Sequence, residues 1–211
     1  MLSINLSEYS DMSTVLHISS SLFGEQGQST QLSRAFVTQW LNARPGADLI
    51  ERDLGSSPIP HLSAAVFRAF RDPAAPLSAE QRAGLALSAE LIAELRRADL
   101  LVLGLPMYNF GVPSSLKAYF DHVARAGQTF EYSSNGPRGL LSGKQAVVVA
   151  ARGGQYLGTP MDTQSDYVRN FLGFLGISDV QFVYAEGLAK SGDAPRRSLD
   201  AAQQQISALA A

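Results

Sequence analysis

Short apolar runs alternate along the chain with longer stretches of helical periodicity. Two of the runs, Leu100 to Leu105 and Gln145 to Ala151, are apolar or β-branched at almost every position, which is typical of strands buried on both faces. The longer stretches place apolar residues on one face, as amphipathic helices do. Five strands are predicted in all: Thr14 to Ser19, Ala47 to Leu54, Leu100 to Leu105, Gln145 to Ala151 and Gln181 to Ala185.

Predicted helices follow each strand. The clearest begins after Ser78, which forms a capping box with Gln81, and runs to about Ala98. Two connections look irregular: residues 55–77 contain four prolines and a short helix near Ala64 to Phe70, and residues 126–143 have the composition of a loop or short surface hairpin. The other helices are predicted at Gln28 to Leu41, Pro113 to Arg125, Asp162 to Leu175 and Ser198 to Ala210.

Strands that alternate with helices form a parallel sheet with helices on both faces. For five strands, the pattern predicts an α/β fold with the flavodoxin-like strand order 2-1-3-4-5. In that order the loops after strands one, three and four meet at the carboxyl edge of the sheet, where ligands of α/β proteins bind. These three loops also hold the most distinctive residues of the chain, so the sequence predicts a binding site there.

The loop after the third strand carries the strongest signal for a ligand. Pro106 ends the apolar run, and Pro113 occupies the position where the first turn of a helix is expected. Between them lie Tyr108, Asn109 and Phe110, which combine aromatic surface with polar groups. Such a loop at a strand-to-helix junction indicates a flat aromatic ligand with polar atoms at its rim.

The other two loops suggest how such a ligand is held. Small and hydroxyl residues from Ser20 to Ser29 lead into a helix whose N-terminal N–H groups suit a phosphate, although Ser29 taken alone fits an ordinary N-cap better. After the fourth strand, Gly153 and Gly154 either allow the backbone to approach a ring closely or form a tight turn. The site hypothesis therefore depends on the convergence of all three loops.

Composition narrows the classes of function. The 211 residues are 45% hydrophobic and 17% charged with a formal net charge of -2, which offers no electrostatic case for nucleic acid or an anionic membrane. The absence of cysteine excludes thiolate catalysis and Cys-ligated metals, and the three histidines lack metal-ligand spacing, so no metal is expected. No apolar segment has the length that a bilayer span requires.

We expect a single cytoplasmic domain from residue 12 to 211. Residues 1–11 are polar and lack the apolar core of a signal peptide, so they are predicted to be a disordered N-terminal extension.

The sequence does not match either of two common nucleotide-binding motifs. The first loop has only Gly24 and Gly27 instead of Gly-x-Gly-x-x-Gly, and a P-loop-like run from Gly139 to Lys144 is one residue short and precedes a strand.

Several motifs together resemble the FMN-dependent NADH:quinone oxidoreductase and azoreductase family, which has a flavodoxin-like fold. The resemblance covers nearly the whole chain from about Met12, and its specific element is Pro106 to Phe110. It implies an enzyme with bound FMN and with NADH or NADPH as electron donor. The individually weaker elements are Gln28-Ser29 with Gln31-Leu32-Ser33, Ala124 to Gly127 with Thr129-Phe130, Arg152-Gly153-Gly154, Phe171 to Ile177, and Ala185-Glu186-Gly187.

The resemblance also implies the residues of the cofactor site. Ser21, Gln28 and Ser29 are expected to contact the FMN phosphate, while Gly27 stands where many relatives have serine and offers only its N–H. The flavin ring is expected to lie on the loop after the third strand, with the N–H near Asn109 bonded to flavin N5, and beside the loop after the fourth. The ring contacts are expected from Met107, Tyr108, Asn109, Phe110, Ala151, Arg152, Gly153 and Gly154.

The implied activity is two-electron transfer from NAD(P)H to quinones and aromatic azo compounds, with donor and acceptor using one slot in turn by a ping-pong mechanism. In this family the slot lies at a homodimer interface, so a homodimer is expected. The alternative is a non-enzymatic flavodoxin-like electron carrier or flavin-binding partner protein, which the near-neutral charge disfavours. The slot walls are predicted to be Phe110, Phe130, Tyr132, Tyr156, Phe171 and Phe174, although most of these residues also fit a plain core, Phe171 and Phe174 equally well.

Overall fold

The apolar runs form the centre of a parallel β-sheet in the computed structural model, which describes residues 13–72 and 76–211. The expectation for residues 1–11 lies outside the described residues. Within them the chain has seven strands, five in a main sheet and two in a hairpin. The strands are β1 (Thr14–Ser19), β2 (Asp48–Asp53), β3 (Leu100–Pro106), β4 (Phe130–Ser133), β5 (Gly136–Gly139), β6 (Gln145–Ala151) and β7 (Asp179–Ala185).

The main sheet is parallel throughout and has the strand order β2-β1-β3-β6-β7. The sequence prediction counts five strands and gives the order 2-1-3-4-5. The numbering differs because β4 and β5 lie between β3 and β6 in the chain and pair with each other in an antiparallel hairpin outside the sheet. This hairpin falls within residues 126–143, where the sequence predicts a loop or a short hairpin.

Most helices lie within one turn of their predicted bounds, and the capping box of Ser78 and Gln81 is confirmed. The last helix begins a turn before the predicted Ser198, because Pro195 in its first turn has a helical φ and needs no hydrogen-bond acceptor. No helix in the described part of the chain is long and apolar enough to cross a membrane. The helices are α1 (Gln28–Asn42), α2 (Ala64–Arg71), α3 (Ala79–Arg97), α4 (Ser114–Val123), α5 (Ser165–Leu175) and α6 (Ala194–Ala210).

Two hydrophobic clusters cover the two faces of the sheet. Leu101 and Leu103 of β3 belong to the cluster under α3, α4 and α5, whereas Leu100 and Val102 belong to the cluster under α1 and α6. This alternation buries every residue of β3, as expected for a central parallel strand. Because β3 lies between β1 and β6, the loops after these three strands leave the sheet side by side.

His17 of β1 is a buried titratable group beneath α1. Its ring Nε2 lies 2.8 Å from Ser33 Oγ, and its Nδ1 lies 3.7 Å from Glu51 Oε1. Burial lowers the pKa of His17 below its ordinary value; Glu51 opposes this effect and Arg34 reinforces it. The folded protein therefore keeps this imidazole neutral at pH values where the unfolded chain already binds a proton.

Acidification is expected to lower the free energy of unfolding through His17. Its folded pKa lies below the unfolded value of about 6.5, so stability falls as the pH drops below that value. Urea unfolding of His17→Gln at about pH 8 and about pH 5.5 should show a smaller decrease in stability than the wild type shows. His61→Gln, at an exposed histidine, is the control. Equal decreases in the His17 variant and the wild type would contradict the prediction.

Candidate functional site

The loop after β3 is built around a strained two-residue turn. Tyr108 and Gly111 exchange backbone hydrogen bonds of 3.2 and 3.0 Å, and the residues between them, Asn109 and Phe110, have φ values of 50° and 63°. Two central residues with positive φ define a type I′ turn, which glycine adopts readily and phenylalanine does not. Backbone strain of this kind concentrates at functional sites. Among the described residues, no acceptor bonds the N–H of Asn109 or of Phe110.

The loop after β1 contacts this turn through a tyrosine hydroxyl. Tyr108 accepts a hydrogen bond of 3.0 Å from the backbone N–H of Leu22, and its hydroxyl lies 3.4 Å from Ser21 Oγ. Ser21 is buried, and its Oγ also accepts from the N–H of Phe23. Gly27 leaves room for this arrangement, because a Cβ atom there would collide with Ser21 Oγ and Cβ. The serine hydroxyl therefore occupies the space that a side chain at position 27 would need.

The N-terminus of α1 presents buried hydroxyl groups without protein partners. The N-cap residue is Gly27, so the interpretation of Ser29 as an ordinary N-cap is wrong. Ser29 and Thr30 are 1% and 2% exposed, and neither Ser29 Oγ nor Thr30 Oγ1 has a hydrogen-bond partner. Buried polar atoms are almost always satisfied in folded proteins, and helix N-termini bind anions. The two hydroxyls at this helix N-terminus are therefore available to an anionic ligand. Gln28, by contrast, is exposed.

The loop after β6 is hydrogen-bonded through its carbonyl groups to the segment after β7. The carbonyls of Arg152, Gly153 and Gly154 accept hydrogen bonds of 2.8 to 3.1 Å from the N–H groups of residues 187–189. No acceptor in the described residues bonds the N–H of Gly153 or of Gly154. Tyr156 packs so closely on Gly154 that a Cβ atom there would overlap the ring. The loop thus leaves two N–H donors available to a ligand.

Aromatic contact joins the loops after β3 and β6. The rings of Phe110 and Tyr156 meet edge to face with centroids 5.6 Å apart. Met107 at the start of the first loop bonds the carbonyl of Ala151 through its N–H, at 3.3 Å. The structure therefore brings together the predicted residues from Met107 to Phe110 with those from Ala151 to Tyr156.

The side chain of Arg152 points into the protein interior, where it forms two ion pairs. The guanidinium is completely buried, bonds Asp162 at 2.8 Å and Glu186 at 3.0 Å, and lies over the ring of Tyr184. Burial alone would raise the pKa of Asp162, but hydrogen bonds from Arg152 and Ser165 outweigh it and hold that pKa below its ordinary value. The backbone of Arg152 is bonded as well, because its N–H donates to the carbonyl of Ala185 and its carbonyl accepts from the N–H of Leu188.

The sequence did not reveal the acidic partners of Arg152. Its pattern marks Glu186 only as part of a motif and Asp162 only as the predicted start of a helix. A signal existed, since an arginine directly after the buried run Gln145–Ala151 requires carboxylate partners. The position of these partners along the chain carried no further signal.

The predicted slot residues do not all lie in one place. Phe110 and Tyr156 lie together at the carboxyl edge. Phe130 packs on Tyr132 and on Phe174, with centroids 5.5 and 4.4 Å apart, near the far end of α5. Phe174 lies nine residues beyond the start of that helix at Ser165, which is about 14 Å along its axis. Phe171 stacks on Phe120 at 4.0 Å, and Tyr132 is 78% exposed.

A groove of about 430 Å³ opens beside the strained turn. Its walls combine apolar and cationic side chains from the start of α4 and the start of α5. The lining residues are His61, Gly111, Val112, Ser114, Lys117, Thr163 and Tyr167. No group of three His, Asp or Glu side chains in residues 13–72 and 76–211 has the geometry of a metal site.

The sheet order, with the helix N-terminus of α1 and the aromatic turn at one carboxyl edge, defines a flavodoxin-like α/β fold. The family described as Flavodoxin-like fold matches residues 13–210, and the chain belongs to this family. This assignment confirms the class that the motifs indicate.

Several proteins whose names state an activity resemble this chain in sequence or in structure over most of its length. It is 51% identical over 177 residues to an FMN-dependent NADH:quinone oxidoreductase of Cellvibrio japonicus, covering 84% of this chain and 89% of that protein. It is 50% identical over 198 residues to a protein of the same name from Burkholderia pseudomallei, covering 94% and 100%. The structure of an FMN-dependent NADH-azoreductase from Bacillus anthracis in complex with FMN superposes with a TM-score of 0.85 at 26% identity, covering 94% of this chain and 98% of that one.

Proposed function

We propose that this protein is an FMN-dependent oxidoreductase that transfers two electrons from NADH or NADPH to quinones and aromatic azo compounds. The observation that carries the proposal is a set of unsatisfied donors along one sheet edge. It includes the buried hydroxyls of Ser29 and Thr30 at one end and the free N–H groups of Gly153 and Gly154 at the other. The names of the similar proteins support the same activity.

The residues present fit FMN. The N-terminus of α1, with the hydroxyls of Ser29 and Thr30, suits the terminal phosphate. The N–H of Gly27, which the sequence offered for this contact, instead donates to the carbonyl of Gly24. The turn from Met107 to Phe110 suits one edge of the flavin ring, and its free N–H at Asn109 suits flavin N5. The N–H groups of Gly153 and Gly154 suit the pyrimidine end. Bound FMN supplies the hydride and electron chemistry; the chain binds and orients it.

The protein residues at the exposed side of the proposed site accommodate flat substrates. Phe110 is 45% exposed and meets Tyr156 edge to face, so these rings offer apolar surface to a planar partner. The groove beside Gly111 continues this surface. A single slot here would admit the nicotinamide donor and the acceptor in turn, which predicts ping-pong kinetics.

A second copy of the chain completes the proposed slot. Phe130, Tyr132 and Phe174 lie at the opposite end of α5 from the turn, so they reach a slot at the turn only from another molecule. The exposed ring of Tyr132 suits such a contact. We therefore propose a homodimer. We also propose that residues 12–211 form a single domain. The cytoplasmic location stays a prediction.

Reconstitution with FMN tests the proposed function. The purified protein should bind FMN with an absorption band at roughly 450 nm, lose that band when NADH is added without oxygen, and turn over NADH with a benzoquinone or an azo dye. Light scattering of the same sample should give twice the chain mass. Bleaching by NADH without turnover would favour the electron carrier, and failure to bind FMN would overturn the proposal.

Ser29→Ala is expected to weaken FMN binding about tenfold, because it removes a hydroxyl that has no other partner. Fluorescence titration of the FMN-free protein measures the dissociation constant. Ser207→Ala is the matched control, since that hydroxyl is exposed and bonds only its own helix. Equal affinities of the Ser29 variant and the wild type would count against the phosphate position.

A further inference from the structure

Gln164 is a buried side chain whose amide group is fully used between two loops. It is 0% exposed and lies directly before α5. Its Nε2 donates hydrogen bonds of 2.9 Å to the carbonyls of Pro106 and of Gly111, and its Oε1 accepts one of 3.2 Å from Arg152 Nε. This single amide therefore links the loop after β3 to the loop after β6.

The two carbonyls that Gln164 holds flank the strained turn. The carbonyl of Pro106 precedes the turn, and that of Gly111 closes it by accepting the N–H of Tyr108. The neighbouring Thr163 hydroxyl donates to the carbonyl of Phe110. The segment before α5 thus bonds backbone carbonyls on both sides of Asn109 and Phe110, the two residues with positive φ.

Arg152 gives Gln164 a fixed position on its other side. The guanidinium is held by Asp162 and Glu186, and the Glu186 carboxylate also accepts the backbone N–H groups of Tyr156 and Leu157. Glu186, Arg152 and Gln164 therefore form a buried chain of hydrogen bonds. It runs from the loop that carries Gly153 and Gly154 to the turn that carries Asn109.

We propose that Gln164 is a positioning residue, which holds the Asn109–Phe110 turn in its left-handed conformation and aligns it with the Gly153–Gly154 loop before a ligand binds. Two consecutive non-glycine residues with positive φ persist only where surrounding contacts impose that conformation, and Gln164 provides two of these contacts. The consequence for FMN rests on the proposed function, whereas the restraint on the turn does not.

The test uses Gln164→Glu at about pH 8, where a carboxylate accepts hydrogen bonds but donates none. The variant keeps an acceptor for Arg152 and loses both bonds to the turn. In the FMN-free protein, amide exchange of Gly111 should accelerate at least about tenfold, while Val148 in the central strand stays within about twofold. The dissociation constant of FMN should rise about tenfold or more.

Gln205→Glu is the matched control, because Gln205 also donates to a backbone carbonyl, that of Phe182, but lies on α6. It should leave Gly111 exchange and FMN affinity unchanged. Gln164→Met removes the same donors without adding charge. It is the variant to use in this test if Gln164→Glu does not fold.

Unchanged Gly111 exchange in the Gln164 variant would overturn the inference, as would equal acceleration at Val148, which indicates general destabilisation. If the wild type does not bind FMN but Gly111 exchange still accelerates selectively in the variant, the proposed function fails and the restraint on the turn stands.

Discussion

Asn109→Pro is expected to weaken FMN binding by at least about 100-fold. Proline requires a φ near -65°, whereas Asn109 has a φ of 50°, so the turn must rearrange. The substitution also removes the N–H proposed to bond the flavin. A conformational conflict of about 3 kcal/mol or more corresponds to that factor in affinity. Fluorescence titration of FMN into the FMN-free protein measures it directly.

Asn109→Gly is the matched control for this prediction. Glycine adopts a positive φ without strain and retains the N–H, so FMN affinity should stay within about threefold of the wild type. Because Asn109 is exposed at the tip of the loop, both variants should keep the circular dichroism of the folded protein. If Asn109→Pro binds FMN as tightly as Asn109→Gly does, the flavin does not lie on this turn.

Arg152→Met is expected to lower the free energy of unfolding by about 3–5 kcal/mol, the usual cost of removing one partner from a buried ion pair. The variant leaves the carboxylates of Asp162 and Glu186, which are 6% and 13% exposed, without their counter-ion. Urea unfolding near neutral pH measures the loss. Arg196→Met, at an exposed pair with Asp193, is the control and should change stability little.

The Arg152 variant should also change the pH dependence of stability. In the wild type, Arg152 helps to hold the pKa of Asp162 below its ordinary value, so that carboxylate stabilises the fold above pH 3.8 and the stabilisation is lost as the pH falls further. Without Arg152, burial dominates and raises the pKa of Asp162, so the variant should lose less stability than the wild type on acidification. If Arg152→Met lowers the free energy of unfolding by less than about 1 kcal/mol at neutral pH, the role assigned to the buried charges is contradicted.

Local patterns were sufficient for the predictions that depend on neighbouring residues. The apolar run Leu100 to Leu105 became β3 with one further residue, and the Ser78 capping box is present because its atoms belong to one helical turn. The first residues of α6 were missed because they include Pro195 and directly follow the loop-like run Ser191-Gly192-Asp193. Their helical state depends on the apolar face that begins further along.

For some aromatic residues, the hydrophobic periodicity of the sequence did not distinguish a core position from a slot position. Phe171 and Phe174 suit both a core and a slot, and only the course of α5 separates them from Phe110 and Tyr156 in one chain. The sequence also indicated a ligand at Asn109 and Phe110 without showing that both residues have positive φ.

By itself, the sequence determined the α/β class, the strands of the main sheet and the three loops of the proposed site, because hydrophobic period and turn composition are properties of neighbouring residues. Only the tertiary structure decided that the Arg152 side chain turns inward, that Ser29 is not an N-cap, and that Gln164 connects two loops. The contacts of Arg152 and Gln164 join groups between 10 and 58 residues apart in the chain, from Arg152 with Asp162 to Gln164 with Pro106. Buried polar groups take partners from whichever strands and loops the fold places beside them, and local composition does not encode that choice.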